Sequence, residues 1–293
     1  MNIRTPIAVL LVAILCIPAV GDARTYIDHI GREVSLSSPP CRIVSLAPGV
    51  TETLFALGLD KEIAGVTTFC DYPRAAASKR KIGGLINPSI EEIVSLDPDL
   101  VIGTADGNRK ETVNRLEKIG LPVYVVNPGG LDEILAMISD MGEVTGRTQE
   151  AARLLDSLRK RIDRVASLTK DSPRPGVFFQ IGEGAMITAG KDTVIDRLIR
   201  AAGGQNIAGD STIRYPRFGI ETLILKNPDI IIEASARDDA SSIKKRWEKW
   251  ENIAAVHEGN IHVIDPDLVS RPAPRIVDGL ETMAGIIHPE IAW

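Results

Sequence analysis

The chain has 293 residues, of which 44% are apolar and 25% charged, so it is long enough for two domains and has an ordinary globular composition. Lys and Arg number 34 against 39 Asp and Glu, for a formal net charge of −5. No basic tract and no basic-aromatic interleaving occurs, which argues against a nucleic-acid partner.

Residues 1–23 read as a cleavable export leader: Arg4 supplies the positive start, residues 7–17 an apolar run, and Gly21-Asp22-Ala23 a small-residue cleavage site. The run is too short to span a bilayer well. A lipid-attachment signal needs a small residue before its cysteine, whereas Leu15 precedes Cys16. The expected product is a freely soluble periplasmic protein, not a lipoprotein. Its leader takes away one basic and one acidic residue, so the charge stays at −5.

The first half of the mature chain alternates strand and helix. Strands are predicted at 42–47, 63–67, 100–103 and 123–126, with helices at 51–59, 89–96, 110–118 and 131–144. Such alternation implies a parallel sheet with helices on its faces. Residues 147–168 then contain no Gly or Pro, and Ala151, Leu154, Leu155, Leu158, Ile162 and Val165 fall on one helical face. A helix of that length is a rod of about 33 Å. Beyond Pro173 and Pro175 the alternation resumes, with strands at 177–181, 187–188, 230–233 and 261–264 and helices at 194–202, 220–225, 241–250 and 274–287. The fold class is α/β: two lobes at 24–145 and 170–293, each with a parallel-type sheet, joined by one bridging helix at 146–169. A ligand cleft is expected between the lobes.

One pattern occurs twice, 130 residues apart. Residues 89–102 and 219–232 align in their apolar positions, in their Pro-Asp step (Pro98-Asp99, Pro228-Asp229) and in their first glutamates, Glu91 and Glu221. Each copy reads as a short helix, a turn and a buried strand. Ser89 and Glu92 form a capping-box pattern, Ser-x-x-Glu. Ile90, Ile93 and Val94 are expected to face the core, which leaves Glu91 pointing outward. A lone carboxylate there is ordinary helix-end decoration. Two of them on matching lobes could engage paired arginines of a two-fold partner.

The loops at the carboxyl ends of the predicted strands are where open parallel sheets bind ligands. They carry Pro48, Phe69, Tyr72, Leu85 and Asn108 in the first lobe, and Glu183, Arg214, Tyr215, Arg217, Asp267 and Arg271 in the second. Only 4% of the chain is aromatic, so Phe69, Tyr72 and Tyr215 on loops are notable. Cys41 precedes one strand and Cys70 follows the next, at opposite ends of the sheet. A strand of five or six residues separates them by roughly 16–20 Å, beyond the reach of a disulfide.

Enzyme signatures are weak. Gly209-Asp210-Ser211 has no Asp-x-x-His near the C-terminus, and Gly182-Glu183-Gly184 lacks the rest of a dinucleotide fingerprint. His29, His257, His262 and His288 show no metal-site spacing. No catalytic residue and no metal site is assigned, and a secreted hydrolase stands only as a distant alternative.

The chain resembles the periplasmic binding proteins that deliver cobalamin or ferric siderophores to ABC importers. The resemblance rests on residues 42–48 with Thr51-Glu52, Cys70-Asp71-Tyr72-Pro73, residues 90–101, Tyr215-Pro216 with Glu221, and Arg271 with Pro274-Arg275-Ile276. It implies a monomer without a cofactor, a small-molecule ligand between the lobes, and docking of Glu91 and Glu221 on a permease dimer in the inner membrane. In the cobalamin branch, aromatics and polar groups hold the corrinoid, a character kept by Phe69, Tyr215, Asp267 and Arg271. Leu85, Thr104 and Ile187 stand where that branch can place aromatics, and Leu268 and Val269 follow Asp267 without one. Cobalamin or a related corrinoid is the first reading and a ferric siderophore the alternative, with haem third. Arg214, Arg217, Arg271 and Tyr215 keep the latter two open.

Overall fold

The computed structural model describes residues 23–182, 184 and 186–293. Residues 1–22 of the expected leader, with Cys16, and Glu183 lie outside the described residues.

An antiparallel hairpin that the sequence reading did not anticipate opens the structure, β1 (Arg24–Ile27) with β2 (Glu33–Leu36). Buried Asp28 closes its turn. The carboxylate accepts from the amides of Ile30 (3.1 Å) and Arg32 (2.8 Å), and binds the Arg32 guanidinium at 2.6 Å.

The N-terminal lobe holds β3 (Ile43–Ser45), β4 (Ile63–Val66), β5 (Leu100–Thr104) and β6 (Val123–Val126), all parallel, in the order β4-β3-β5-β6. Its helices are α1 (Pro48–Ala56), α2 (Ile90–Ser95), α3 (Lys110–Lys118) and α4 (Leu131–Val144). The bridge α5 (Thr148–Thr169) follows. The C-terminal lobe holds β7 (Gly176–Ile181), β8 (Gln205–Asn206), β9 (Ile230–Ala234) and β10 (Ile261–Ile264), again all parallel, in the order β8-β7-β9-β10. Around them lie α6 (Val194–Ala201), α7 (Ile220–Lys226), α8 (Ala240–Trp247), α9 (Ala254–His257), α10 (Pro266–Ser270) and α11 (Ile276–Ile287). Each sheet places its first strand between its second and third, so the two lobes share one topology in separate sheets.

Strands such as Val123–Val126 are buried along their whole length, as a sheet covered on both faces requires. The outer face of each sheet has its own core: Val44, Ile93, Val101 and Leu116 in the first lobe, and Phe178, Leu223, Ile231 and Trp247 in the second. The inner faces merge into one larger core through Ala151, Leu155, Leu158 and Val165 of α5 and through α11. The bridging helix thus shares its apolar face with both lobes.

The duplicated segment has a clear structural cause. Asp99 accepts from the amides of Cys41 (2.7 Å) and Arg42 (2.9 Å), just ahead of β3; Asp229 accepts from Gly176 at 2.6 Å, at the start of β7. In return Asp99 donates its own amide to Arg42 and Asp229 to Gly176. The Pro-Asp step is therefore a clamp that sets the register of the third strand against the first. Each helix ends on a left-handed residue, Asp97 (φ 45°) and Asn227 (φ 41°), again 130 positions apart.

Several local expectations change. Ser89 caps α2 by accepting from the Glu92 amide at 3.2 Å, but the box is not reciprocal. The Ser89 amide is taken by the Ile82 carbonyl, and the Glu92 carboxylate turns to Arg80 at 2.7 Å. Val94 is 47% exposed rather than core-facing, since a helix this short buries only Ile93 fully. Residues 187–188 are not a strand: Ile187 makes one antiparallel bridge to Arg217. The expected helix at 241–250 ends as α-helix at Trp247 and continues as a 3-10 turn, Glu248–Trp250. Cys41 is exposed and Cys70 buried, and both are free thiols.

Candidate functional site

A cleft of about 450 Å³ lies between the lobes at the carboxyl ends of β3, β5, β6 and β7. In the first lobe, β3 turns into α1 through Ala47 and Pro48, with Pro48 in the first helical turn where its missing N–H costs nothing. The lobes touch immediately below. A Cβ on Gly49 would sit 2.6 Å from the Pro272 carbonyl oxygen, so glycine is required by close approach. The first-lobe wall is Pro48, Val50, Leu85, Thr104 and Asp106; the second-lobe wall is Ile181, Ile195, Arg214, Tyr215, Val269 and Arg271. Apolar side chains predominate, with few polar groups among them, the usual make-up of a small-molecule site.

Of the nine residues expected to hold the ligand, Pro48, Leu85, Tyr215 and Arg271 line this cleft. The others lie elsewhere. Phe69 is 57% exposed outside it. Tyr72 lies under the Arg275 guanidinium, 3.7 Å from its ring centroid. Ile187 is half-buried, bridges to Arg217 and does not line the cleft. Asn108 is a buried staple: its amide donates to the carbonyls of Leu46 (3.0 Å) and Leu85 (2.8 Å), while its oxygen accepts from the Thr104 amide (2.8 Å). Both amide hydrogens are occupied, so Asn108 shapes the wall and offers no donor to a ligand.

Asp267 and Arg271 belong to an ionic latch that the sequence reading missed. Glu52 on α1 is almost fully buried and accepts from Arg275 Nε and Nη2, both at 2.8 Å, and from Arg271 Nη1 at 3.2 Å. Arg271 also reaches Asp71 at 2.6 Å and Asp267 at 2.7 Å. The bond from Arg271 holds the Asp71 carboxyl below the usual carboxylate range. Burial pushes Asp267 up despite the neighbouring guanidinium. Burial alone would lower Arg271, but its bonds to Asp71 and Glu52 and the Asp267 charge outweigh it and hold the guanidinium protonated. Two further pairs cross between the lobes, Glu133 with Arg197 at 2.6 Å and Asp106 with Arg214 at 3.7 Å. Among the described residues every such pair sets a first-lobe carboxylate against a second-lobe arginine. The signal lay in Glu52 and Arg275, but their separation of 223 positions hid the pairing.

Glu91 and Glu221 are both exposed in the first turns of α2 and α7. Each helix leads back to the start of a parallel strand, so its N-terminus stands at the carboxyl edge of its own sheet, the edge that holds the cleft. Among the described residues neither glutamate makes an ion pair.

Comparison with known proteins agrees with this architecture. A periplasmic binding protein family model matches residues 43–268. The chain is 30% identical over 274 residues to the uncharacterized ABC transporter substrate-binding lipoprotein YvrC of Bacillus subtilis, covering 91% of this chain and 86% of that one. It is 31% identical over 272 residues to a cobalamin-binding protein of Halobacterium salinarum, covering 89% and 73%. The crystal structure of the periplasmic vitamin B12 binding protein BtuF of Vibrio cholerae superposes with a TM-score of 0.78 at 26% identity, over 86% of this chain and 98% of that one. With two lobes of one topology, a bridging helix, a cleft at the strand ends and a family match over most of its length, the chain belongs to the periplasmic binding protein family and is a ligand binder, not an enzyme.

Proposed function

We propose that this protein is the monomeric substrate-binding component of an ABC importer, that its ligand is cobalamin or a related corrinoid, and that Glu91 and Glu221 dock it on the permease dimer. The observation that carries the ligand assignment is the state of the cleft arginines. Arg271 is surrounded by Glu52, Asp71 and Asp267, and Arg214 faces Asp106. An anionic ferric siderophore, or the propionates of haem, calls for a cation without a partner; Arg271 is fully engaged by its three carboxylates, and Arg214 is held only by the longer 3.7 Å contact to Asp106. A corrinoid presents a broad macrocycle to apolar walls and peripheral amides to carboxylates and backbone groups. Pro48, Val50, Leu85, Ile181 and Val269 offer the first, and Asp106 and Thr104 the second. The relatives named for cobalamin and vitamin B12 support the same choice.

Export follows from the leader, and Leu15 ahead of Cys16 argues for an unanchored product. A mature N-terminus at Arg24 without lipid, read by mass spectrometry, checks both. The ligand is tested by calorimetric titration of the purified protein with cyanocobalamin, hemin, and ferric hydroxamate and catecholate siderophores. Saturable binding of cyanocobalamin with little heat from the iron complexes is expected. Tight binding of an iron complex alone would overturn the assignment.

A further inference from the structure

A cavity of about 540 Å³ lies in the C-terminal lobe on the side of its sheet away from the cleft, lined by Arg174, Arg200, Asn206, Gly209, Asp210 and Lys226 among others. Arg174 stands just ahead of β7, and Arg200 and Lys226 lie in the last turns of α6 and α7. These positions mark the amino ends of the parallel strands. The cleft and both outward glutamates belong to the carboxyl ends, and no residue lines both the cavity and the cleft.

β8 is the edge strand of this sheet, and its outer side faces the cavity. Gln205 and Ile207 donate their amides to the Pro175 and Val177 carbonyls, at 2.9 and 3.1 Å. Alternation along the strand therefore turns the Asn206 N–H away from β7, and it finds no acceptor among the described residues. The carboxyl ends of α6 and α7 bring partial negative charge to the same place, which Arg200 and Lys226 offset. Arg200 also reaches the buried Asp196 at 3.1 Å, a carboxylate already held by the Asn206 side-chain amide (2.8 Å) and the Asp192 amide (3.0 Å). Lys226 pairs with Asp210 at 3.1 Å, but Asp210 is 75% exposed, and a surface pair of this kind is weak. Arg174 is exposed and makes no ion pair among the described residues. One cation and one main-chain donor are thus left without partners at the cavity.

We propose that this cavity binds a phosphate group, free or carried on a lipid headgroup. The Arg174 guanidinium and the Asn206 N–H are its first donors. Lys226 joins them when the phosphate displaces Asp210, and Arg200 turns its spare guanidinium hydrogens to the same oxygens. A fork-shaped guanidinium, a compact ammonium and a main-chain N–H suit a tetrahedral oxyanion, because such bonds are charge-assisted and the guanidinium is directional. The cavity and the cleft lie at opposite ends of the strands, so this site does not depend on which ligand the cleft takes. It also leaves the faces bearing Glu91 and Glu221 free.

Calorimetric titration with inorganic phosphate, and co-sedimentation with phosphatidylglycerol vesicles against phosphatidylcholine vesicles, separate the two sources. Saturable binding of inorganic phosphate points to a soluble anion; sedimentation with the anionic vesicles alone points to a headgroup. For the probe that binds, Arg174→Ala and Lys226→Ala should each weaken affinity about tenfold, the scale of one charge-assisted hydrogen bond. Asp210→Asn removes the competing carboxylate and should strengthen it about threefold. Arg159→Ala removes an exposed arginine from α5, outside the cavity, and should change nothing. Unchanged melting curves show that the variants are folded. Binding of neither probe, equal losses in Arg174→Ala and Arg159→Ala, or a loss in Asp210→Asn would overturn the site.

Discussion

The two copies of the helix-turn-strand segment agree in some features and diverge in others. Both hold the Pro-Asp clamp, both end the helix on a left-handed residue, and both expose a glutamate in the first turn. They differ in capping: Ser89 caps α2 with its side chain, whereas Gly219 gives α7 no side-chain cap. They differ in the clamp itself, since Asp99 takes two amides and Asp229 one through the side chain. They differ above the strand, where one lobe is stapled shut by Asn108 and the other is open. A cap contributes about 1 kcal/mol and is replaceable by other local bonds. The strand register and the outward glutamate have no local substitute, and those are the features that occur twice.

If the glutamates serve the partner and not the fold, their joint removal gives the largest effect. Glu91→Ala with Glu221→Ala should lower uptake in cells at least tenfold while ligand affinity, measured on the purified protein, stays within twofold. Uptake at the unmodified level would reduce both residues to helix-end decoration.

The next contrast is between the latch and the clamps. Glu52→Ala removes the buried partner of Arg275 and one partner of Arg271. It should cost about 3 kcal/mol in urea unfolding, the low end for breaking a buried pair, because Arg271 keeps Asp71 and Asp267. A cost below about 1 kcal/mol would mean that the latch contributes little to stability. Asp99→Ala should cost about 2 kcal/mol and Asp229→Ala about 1, in proportion to the amides each leaves unpaired. Equal costs would contradict the clamp argument.

The smallest effect is one of sign. Asp71 is held low by Arg271, so the unfolded chain takes up its proton first. Its stabilising contribution is present above pH about 4 and is lost as the pH falls through the depressed folded value. Asp267 is raised by burial, so the folded protein holds its proton the more tightly and stability is gained as the pH falls. In melting curves taken between about pH 2 and pH 5, Asp71→Asn should flatten the acid limb and Asp267→Asn steepen it. Shifts of the same sign would contradict this picture of the latch.

Much of the scaffold was legible in the chain because its signals are local and periodic. The unbroken stretch at 147–168 appears as Thr148–Thr169, and the buried strands are near-continuous apolar runs. The hairpin Arg24–Ile27 with Glu33–Leu36 and the two-residue strand Gln205–Asn206 were missed because each is too short for a period to register. The site was less legible. Pro48 and Tyr215 announce themselves by position and residue type, but Asn108 looks like a ligand contact until its three backbone partners are seen. The neutralisation of Arg271 depends on Glu52 and Asp71, at least 200 positions away in the sequence. Side chains that serve one another across the lobes cannot be distinguished, by spacing alone, from side chains that serve a ligand.

The central claim is that the shared cleft receives the corrinoid while the two outward glutamates stay free for the permease. Hydrogen exchange on the purified protein with and without saturating cyanocobalamin tests it most directly. The account predicts added protection at 46–50, 104–107, 214–215 and 269–272, with the amides of α2 and α7 unchanged. Protection confined to α2 and α7, or none at the cleft under saturation, would contradict it.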